Sequence, residues 1–277
     1  MDEHGATERQ AVLPKPDSSA SAASLGRADL HLHTNLGDGT ASPARVLREA
    51  RRRGLDVIAI TEHDHLEGAK RVADLLAREP ADERAAHPIQ LVWGCEVTTR
   101  EGHFIGLFLR EPPRMLRRVE ETIEAIKTQG GLCIVPHPMG RLVPSLSRRK
   151  IDELLNRGYP LDGIELYNPS PANRAVRAEV RRLNEQWGLA AVGGSDAHFW
   201  QHVGAAYTRF PGRTADDLRA AIPAHATHEG GQEQPPDRLP VAAYVLQCGW
   251  SWFVDPPRKV ARMLRQRRAS GAQRTRT

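Results

Sequence analysis

The sequence predicts an α/β barrel, and three observations predict it. Short β-type runs alternate with amphipathic helical stretches through most of the 277 residues, the pattern of a mostly parallel sheet with helices outside. About seven such runs occur, which suits a barrel better than an open sheet. Histidine and acidic residues recur where the runs stop, the end at which such barrels carry their active sites.

Taken in order, residues 1 to 26 are rich in Ser, Ala and Pro, begin with acidic residues and lack an apolar h-region. They are expected to be a disordered leader and not a secretory signal. The first run ends in His31-Leu32-His33-Thr34-Asn35-Leu36-Gly37-Asp38. In a strand, successive side chains face opposite ways, so His31 and His33 share a side and form a chelating pair. The glycines flanking Asp38 permit a tight turn that brings its carboxylate back over the strand end.

Ser42-Pro43 reads as an N-cap and first-turn proline, opening a helix through Val46, Leu47 and Ala50 that stops at Gly54. Val57-Ile58-Ala59-Ile60 ends in Thr61-Glu62-His63-Asp64-His65, and a helix is expected over 67–78. Leu91-Val92-Trp93 ends in Gly94-Cys95-Glu96, and His103 opens Phe104 to Leu109. Helices over 115–128, 147–157 and 172–187 are closed by Gly130-Gly131, Gly158 and Gly188. Between them Leu132 to Val135 ends in Pro136-His137-Pro138, and Leu189 to Val192 ends in Gly193-Gly194-Ser195-Asp196-Ala197-His198. The barrel is expected over residues 27–224.

Residues 225–277 read as an extension. A Gly, Gln, Pro and His-rich stretch over 225–239 suggests a flexible excursion, followed by an apolar segment from Val241 to Phe253 with Trp250 and Trp252. Covering the barrel is the commonest fate of such an aromatic patch. The formal charge of +5 and pI near 9.4 fit an acidic partner, but Arg258, Lys259, Arg262, Arg265, Arg267, Arg268, Arg274 and Arg276 crowd the end. That tail reads as a solvated segment or as a contact arm for single-stranded nucleic acid or a membrane surface.

No run approaches the roughly 18 apolar residues of a membrane span. Cys95, Cys133 and Cys248 form no close-spaced motif and cannot all pair within one chain, so reduced thiols and a cytoplasmic location are expected. No dinucleotide-binding glycine fingerprint, no Walker-type loop and no Gly-x-Ser-x-Gly elbow is present. Cofactor binding through those loops and serine hydrolysis therefore have little support.

The ordered segments Asp29 to Thr34 with Asp38-Gly39, Ile58 to Asp64, Gly94-Cys95-Glu96, Gly102-His103, Pro136-His137-Pro138, Ile164 to Asn168 and Gly194 to His198 resemble the PHP domain, named for polymerase and histidinol phosphatase. The resemblance covers roughly residues 28 to 210. It implies a distorted (β/α)7 TIM-like barrel holding two or three divalent metal ions. Carried over position by position, it implies that His31, His33, Glu96 and Asp196 hold one metal, with Glu96 bridging to a second held with His103 and His137. Asp38, His63 and His198 would hold a third. A filled ligand set implies an active enzyme and not one of the metal-free PHP domains found within some DNA polymerases.

Imidazole with carboxylate suits Mn, Zn or Fe. Cations about 3.5 to 4 Å apart can share a hydroxide and neutralise phosphoryl charge. The expected reaction is hydrolysis of a phosphate ester by that hydroxide, on a small phosphomonoester, a nucleotide or a short oligonucleotide end. His65 is a candidate proton donor or outer-shell group. Arg141 is a candidate phosphate clamp or an ordinary loop arginine, and Asn168 orients substrate or forms the turn before Pro169. Two other readings stand: an amidohydrolase-type C–N or carboxylic ester hydrolase, and a noncatalytic metal-binding or scaffold module using the basic tail for contact.

Overall fold

A computed structural model describes residues 25–141, 143–231, 239–254, 257–258 and 260–261. Nine strands, β1 (Leu25–Leu32), β2 (Val57–Ile60), β3 (Gln90–Thr98), β4 (His103–Leu107), β5 (Leu132–Val135), β6 (Gly163–Tyr167), β7 (Ala190–Gly193), β8 (Ala206–Pro211) and β9 (His228–Gly231), form one sheet in the order β7-β6-β5-β4-β3-β2-β1-β8-β9. The helices are α1 (Pro43–Arg52), α2 (Glu67–Arg78), α3 (Ala81–Ala86), α4 (Val119–Thr128), α5 (Arg148–Asn156), α6 (Pro171–Arg174), α7 (Arg177–Trp187), α8 (Ala215–Ala221) and α9 (Val241–Gly249). Among the described residues no helix is long and apolar enough to cross a membrane.

The sheet curls until its ends nearly meet. The chain beyond β7 returns to β1 through a parallel bridge between Leu32 and Ala197, with His33 N donating to Ala197 O at 3.2 Å. Lower down, Gly193 N donates to Thr208 Oγ1 at 3.0 Å, and the same hydroxyl donates to Gly193 O at 3.0 Å. A side chain at Gly193 would stand 2.4 Å from Tyr207 O, so glycine is what lets these strands approach.

Strand alternation divides the interior of this barrel from its helix-facing side. Val57 and Ala59 of β2, Val92 of β3, Ile105 and Leu107 of β4, Ile134 of β5 and Val192 of β7 pack in one cluster without helix residues other than those of the terminal α8 turn. Their neighbours Ile58, Ile60, Cys95, Phe104, Cys133 and Ile164 pack in two further clusters against α1, α2, α4, α5 and α7. Further along the interior column, four residues beyond Ala59 and Val92 and two before Ile105, the side chains become His63, Glu96 and His103. The period of two that fills the floor with apolar groups thus delivers the candidate ligands at the mouth. In β1 the floor residues are Ala28 and Leu30. An irregularity between Asp29 and Leu32 shifts the phase, so that Leu32 joins the helix-facing cluster.

β4 runs antiparallel to β3 and β5. Its N-terminal residue, His103, therefore lies at the end where parallel strands place their C termini. This explains a ligand that opens a run when the others close one.

Other differences from the sequence reading have local causes. The third expected helix starts at Val119 and not at 115, because Leu116 adopts φ 57°, outside the helical region. The helix expected over 172–187 is two pieces, α6 and α7. Leu25 and Gly26 pair with Pro211 and Phe210, so β1 starts two residues inside the expected leader; residues 1–24 lie outside the described residues.

The expected excursion over 225–239 contains β9, antiparallel to β8. Gly230 and Gly231 weaken the strand signal in the sequence, yet added Cβ atoms there would lie 2.6 and 2.5 Å from the Tyr207 and Tyr167 rings. The glycines make room for two tyrosines. Of the basic end, Arg258 is described and exposed, whereas the cluster from Arg262 to Arg276 lies outside the described residues.

Candidate metal centre

At the mouth, six imidazoles and three carboxylates converge. Glu96, buried at the end of the interior column of β3, occupies the middle. Its Oε2 lies 3.1 Å from His31 Nε2, 3.3 Å from His33 Nε2 and 3.4 Å from His63 Nδ1. Its Oε1 lies 2.8 Å from His137 Nε2 and 3.0 Å from His103 Nδ1. One carboxylate thus offers different oxygens to two sets of imidazoles.

Asp38 occupies a second focus. Its Oδ2 lies 3.1 Å from His198 Nε2 and 3.6 Å from His63 Nε2, while Oδ1 lies 3.4 Å from His33 Nδ1. The flanking turn is held from beneath by Glu62, whose Oε1 accepts from Thr34 N at 3.0 Å and Thr34 Oγ1 at 2.5 Å. Asp196, at φ 51°, faces His31, His33 and His198 at 3.5, 3.6 and 3.4 Å.

Ligand atoms close enough to share an ion fall into four groups: His33, Asp38, His63 and His198; His31, His33 and Glu96; His31, His137 and Asp196; His63, Glu96 and His103. All nine residues singled out in the sequence are present. Asp38, His63 and His198 group together as the resemblance implies, and His33 joins them. His137 groups with His31 and Asp196, although its Nε2 is also in hydrogen-bond reach of Glu96.

The electrostatics are those of a site built for cations. Burial alone would lower the pKa of His31, but Asp196, Glu96 and Glu165 hold it well above the ordinary imidazole value. His33 is likewise pushed to about 10 against burial by Asp38 and Glu96. Asp38 and Glu96, which burial would raise, are held well below the carboxylate range by the surrounding histidines. In contrast, burial dominates at Glu62, raised to about 7, and at Asp29, raised to about 6.

The donor set fits divalent metals. Both ring nitrogens of buried His33 and Oδ1 of Asp38 are without a hydrogen-bond partner among the described residues. Polar atoms left so at full burial cost free energy unless another group satisfies them, and a bound cation does that. Nitrogen and carboxylate oxygen without thiolate is a donor set for Mn, Zn or Fe; buried Cys95 and Cys133 face the helix layer.

The supporting shell was only partly visible beforehand. Glu165 Oε1 lies 2.9 Å from His31 Nδ1, while Oε2 accepts from His137 N at 2.7 Å and from Asn168 Nδ2 at 3.0 Å. Its signal in the sequence was a carboxylate between Ile164 and Leu166, which alternation turns inward. Asn168 Oδ1 accepts from Ser170 N at 3.0 Å, so Asn168 both forms the turn and steadies Glu165. Ser145 Oγ lies 2.9 Å from His137 Nδ1.

His65, 3 % exposed, belongs to none of the ligand groups. Its Nδ1 accepts from Glu67 N at 3.2 Å at the start of α2. Arg141 is exposed on the loop that follows His137. Ser251, from the turn Trp250–Val254 that continues α9, donates to Asp38 Oδ2 at 2.7 Å. Nothing in the sequence around Ser251 signals this contact, because it arises from how the extension lies across the mouth.

Known proteins are similar to this chain to different extents. An uncharacterised protein of Methanocaldococcus jannaschii is 35% identical over 153 residues, covering 51% of this chain and 81% of its own length. A 5'-3' exoribonuclease of Haemophilus influenzae is 34% identical over 92 residues, 31% of each chain. Among solved structures, a two-domain protein from Bacteroides vulgatus ATCC 8482, containing a predicted PHP-like metal-dependent phosphoesterase, superposes with a TM-score of 0.62 at 20% identity. That superposition covers 82% of this chain and 70% of the other and establishes the shared fold. The model of the PHP domain matches residues 29–194 and that of the PHP-associated region residues 176–227. The first match runs from the strand that carries His31 and His33 to the end of β7. Together with the distorted barrel and the candidate ligands at its mouth, it establishes that this chain belongs to the PHP domain family.

Proposed function

We propose that the chain is a metal-dependent phosphoesterase acting on a small phosphate ester, a nucleotide or an oligonucleotide end. The observation that carries this reading is the division of Glu96 between two sets of imidazoles, an arrangement suited to joining neighbouring cations. Bound there, divalent ions supply Lewis acidity, lowering the pKa of water and neutralising phosphoryl charge.

The chain's own residues do the rest. With Glu96, His31, His33, Asp196, His103 and His137 would hold cations, and Asp38, His63 and His198 would hold another. Glu165 orients His31 through Nδ1, leaving Nε2 to face inward. Arg141 clamps a substrate phosphate, its exposed guanidinium offering paired donors to two oxygens. His65 keeps its Nδ1 as an acceptor, which places the ring proton on Nε2, the form able to donate. The exoribonuclease among the relatives supports a nucleic-acid end as the substrate class.

The test is turnover of p-nitrophenyl phosphate and bis-p-nitrophenyl phosphate by the Mn-loaded protein, beside an anilide of similar size. Ester cleavage without anilide cleavage is expected, and the reverse would sink the proposal. In the same assay Arg141→Ala should raise KM about tenfold with kcat little changed, as for loss of one charge-assisted contact. An unchanged KM would remove Arg141 from the substrate site.

A further inference from the structure

The segment after the barrel has its polarity reversed. A surface helix ordinarily turns its apolar stripe inward, but α9 and the turn after it turn Tyr244, Gln247 and Ser251 toward the barrel. Tyr244 Oη lies 3.3 Å from His202 Nε2, Gln247 Nε2 donates to Ser251 Oγ at 2.8 Å, and Ser251 reaches Asp38. On the opposite side Val241, Leu246 and Phe253 are 78%, 74% and 77% exposed, with Val245 and Trp250 beside them. The patch expected to cover the barrel with its aromatic groups therefore covers it with polar ones. The side chain of Trp252 lies outside the described residues.

An apolar face of this kind on a soluble barrel marks a contact surface, and its charge surroundings select the occupant. Arg258 stacks over the Trp250 ring at 4.9 Å, placing a cation at the edge of the patch. Residues 258–277 carry eight of the 39 Lys and Arg and no Asp or Glu, so the rest of the chain is net acidic and the cations follow this helix directly in the sequence. A second copy docking here would bring two such tails together and be repelled. A single nucleic-acid strand stacks along successive planar groups, whereas three of these five exposed groups, Val241, Val245 and Leu246, are aliphatic. Aliphatic groups beside Trp250 and Phe253, with Arg258 at the edge, match an anionic bilayer surface, where the hydrocarbon enters the acyl boundary and cations meet phosphate headgroups.

We infer that the outward face of α9, with Arg258 at its edge, seats this protein on anionic lipid bilayers while the inward face stays on the barrel mouth. The helix lies on the membrane and does not cross it, in keeping with its nine residues. The binding is independent of the phosphoesterase reading.

Co-sedimentation of the full chain with phosphatidylcholine vesicles, with and without phosphatidylglycerol, tests it. More than about tenfold preference for the anionic vesicles is expected, diminishing with salt. Leu246→Glu should weaken that binding about tenfold or more with an unchanged Tm, since Leu246 touches solvent. Equal partition to neutral vesicles, no pelleting, or pelleting indifferent to Leu246→Glu would overturn it. So would a Leu246→Glu effect confined to a single-stranded oligonucleotide in fluorescence anisotropy, or to dimer mass in sedimentation velocity.

Discussion

Replacing Glu96 by Gln should abolish phosphoester turnover, by about a thousandfold or more, and remove most bound metal. Glu96 meets five imidazoles, three at Oε2 and two at Oε1, where Asp38 meets three. An amide keeps the size but offers one acceptor and no charge, and its NH2 must face one of the histidine sets. Electrostatic stabilisation of a phosphoryl group by held cations is often the largest single contribution to such a reaction, so losing the joint between cations should cost at least that much. Metal content by mass spectrometry and kcat with added Mn together check the result. A Glu96→Gln protein that retains wild-type metal content and turnover would show that the carboxylate does not join cations.

Glu165→Gln should lower metal affinity by about 10–100-fold without touching a metal itself. Glu165 Oε2 accepts from two donors, His137 N and Asn168 Nδ2, while Oε1 faces His31 Nδ1. A glutamine cannot meet all three. With its oxygen toward the two donors, its NH2 confronts His31 Nδ1 and drives the ring proton to Nε2, the nitrogen that faces Glu96 and Asp196. Turned the other way, its NH2 meets two further donors. There is no spare room, since even a Cβ at Gly194 would lie 2.2 Å from Glu165 Oε1. Isothermal titration of Mn into the stripped variant reads the affinity, and Tm separates positioning from folding. An unchanged affinity would make Glu165 a packing group only.

The candidate ligands were legible because a barrel converts order along the chain into position. A His or carboxylate that ends a β-run on the interior phase reaches the mouth, as His63 and Glu96 do. His103 was legible for the same reason once β4 is antiparallel. Glu165 was half-legible: its inward direction follows from Ile164 and Leu166, but its three partners come from β1, the turn after β5 and its own turn. The floor of the site was also obscured at β1, where the phase shift between Asp29 and Leu32 has no counterpart in the apolar pattern. Ser251 was not legible at all, because its approach to Asp38 spans 213 residues and depends on the inverted α9. β9 was missed because its glycines suit close approach to Tyr207 and Tyr167, a tertiary demand that the sequence presents as a loop.

Whether Glu96 joins neighbouring cations is tested most directly by anomalous scattering from crystals of the Mn-loaded protein. At least two peaks are expected, one contacted by Glu96 Oε2 beside His31 and His33 and another by Oε1, with a further peak near Asp38 and His198 if the third position fills. A single peak chelated by both Glu96 oxygens, or no peak among these histidines, would contradict it.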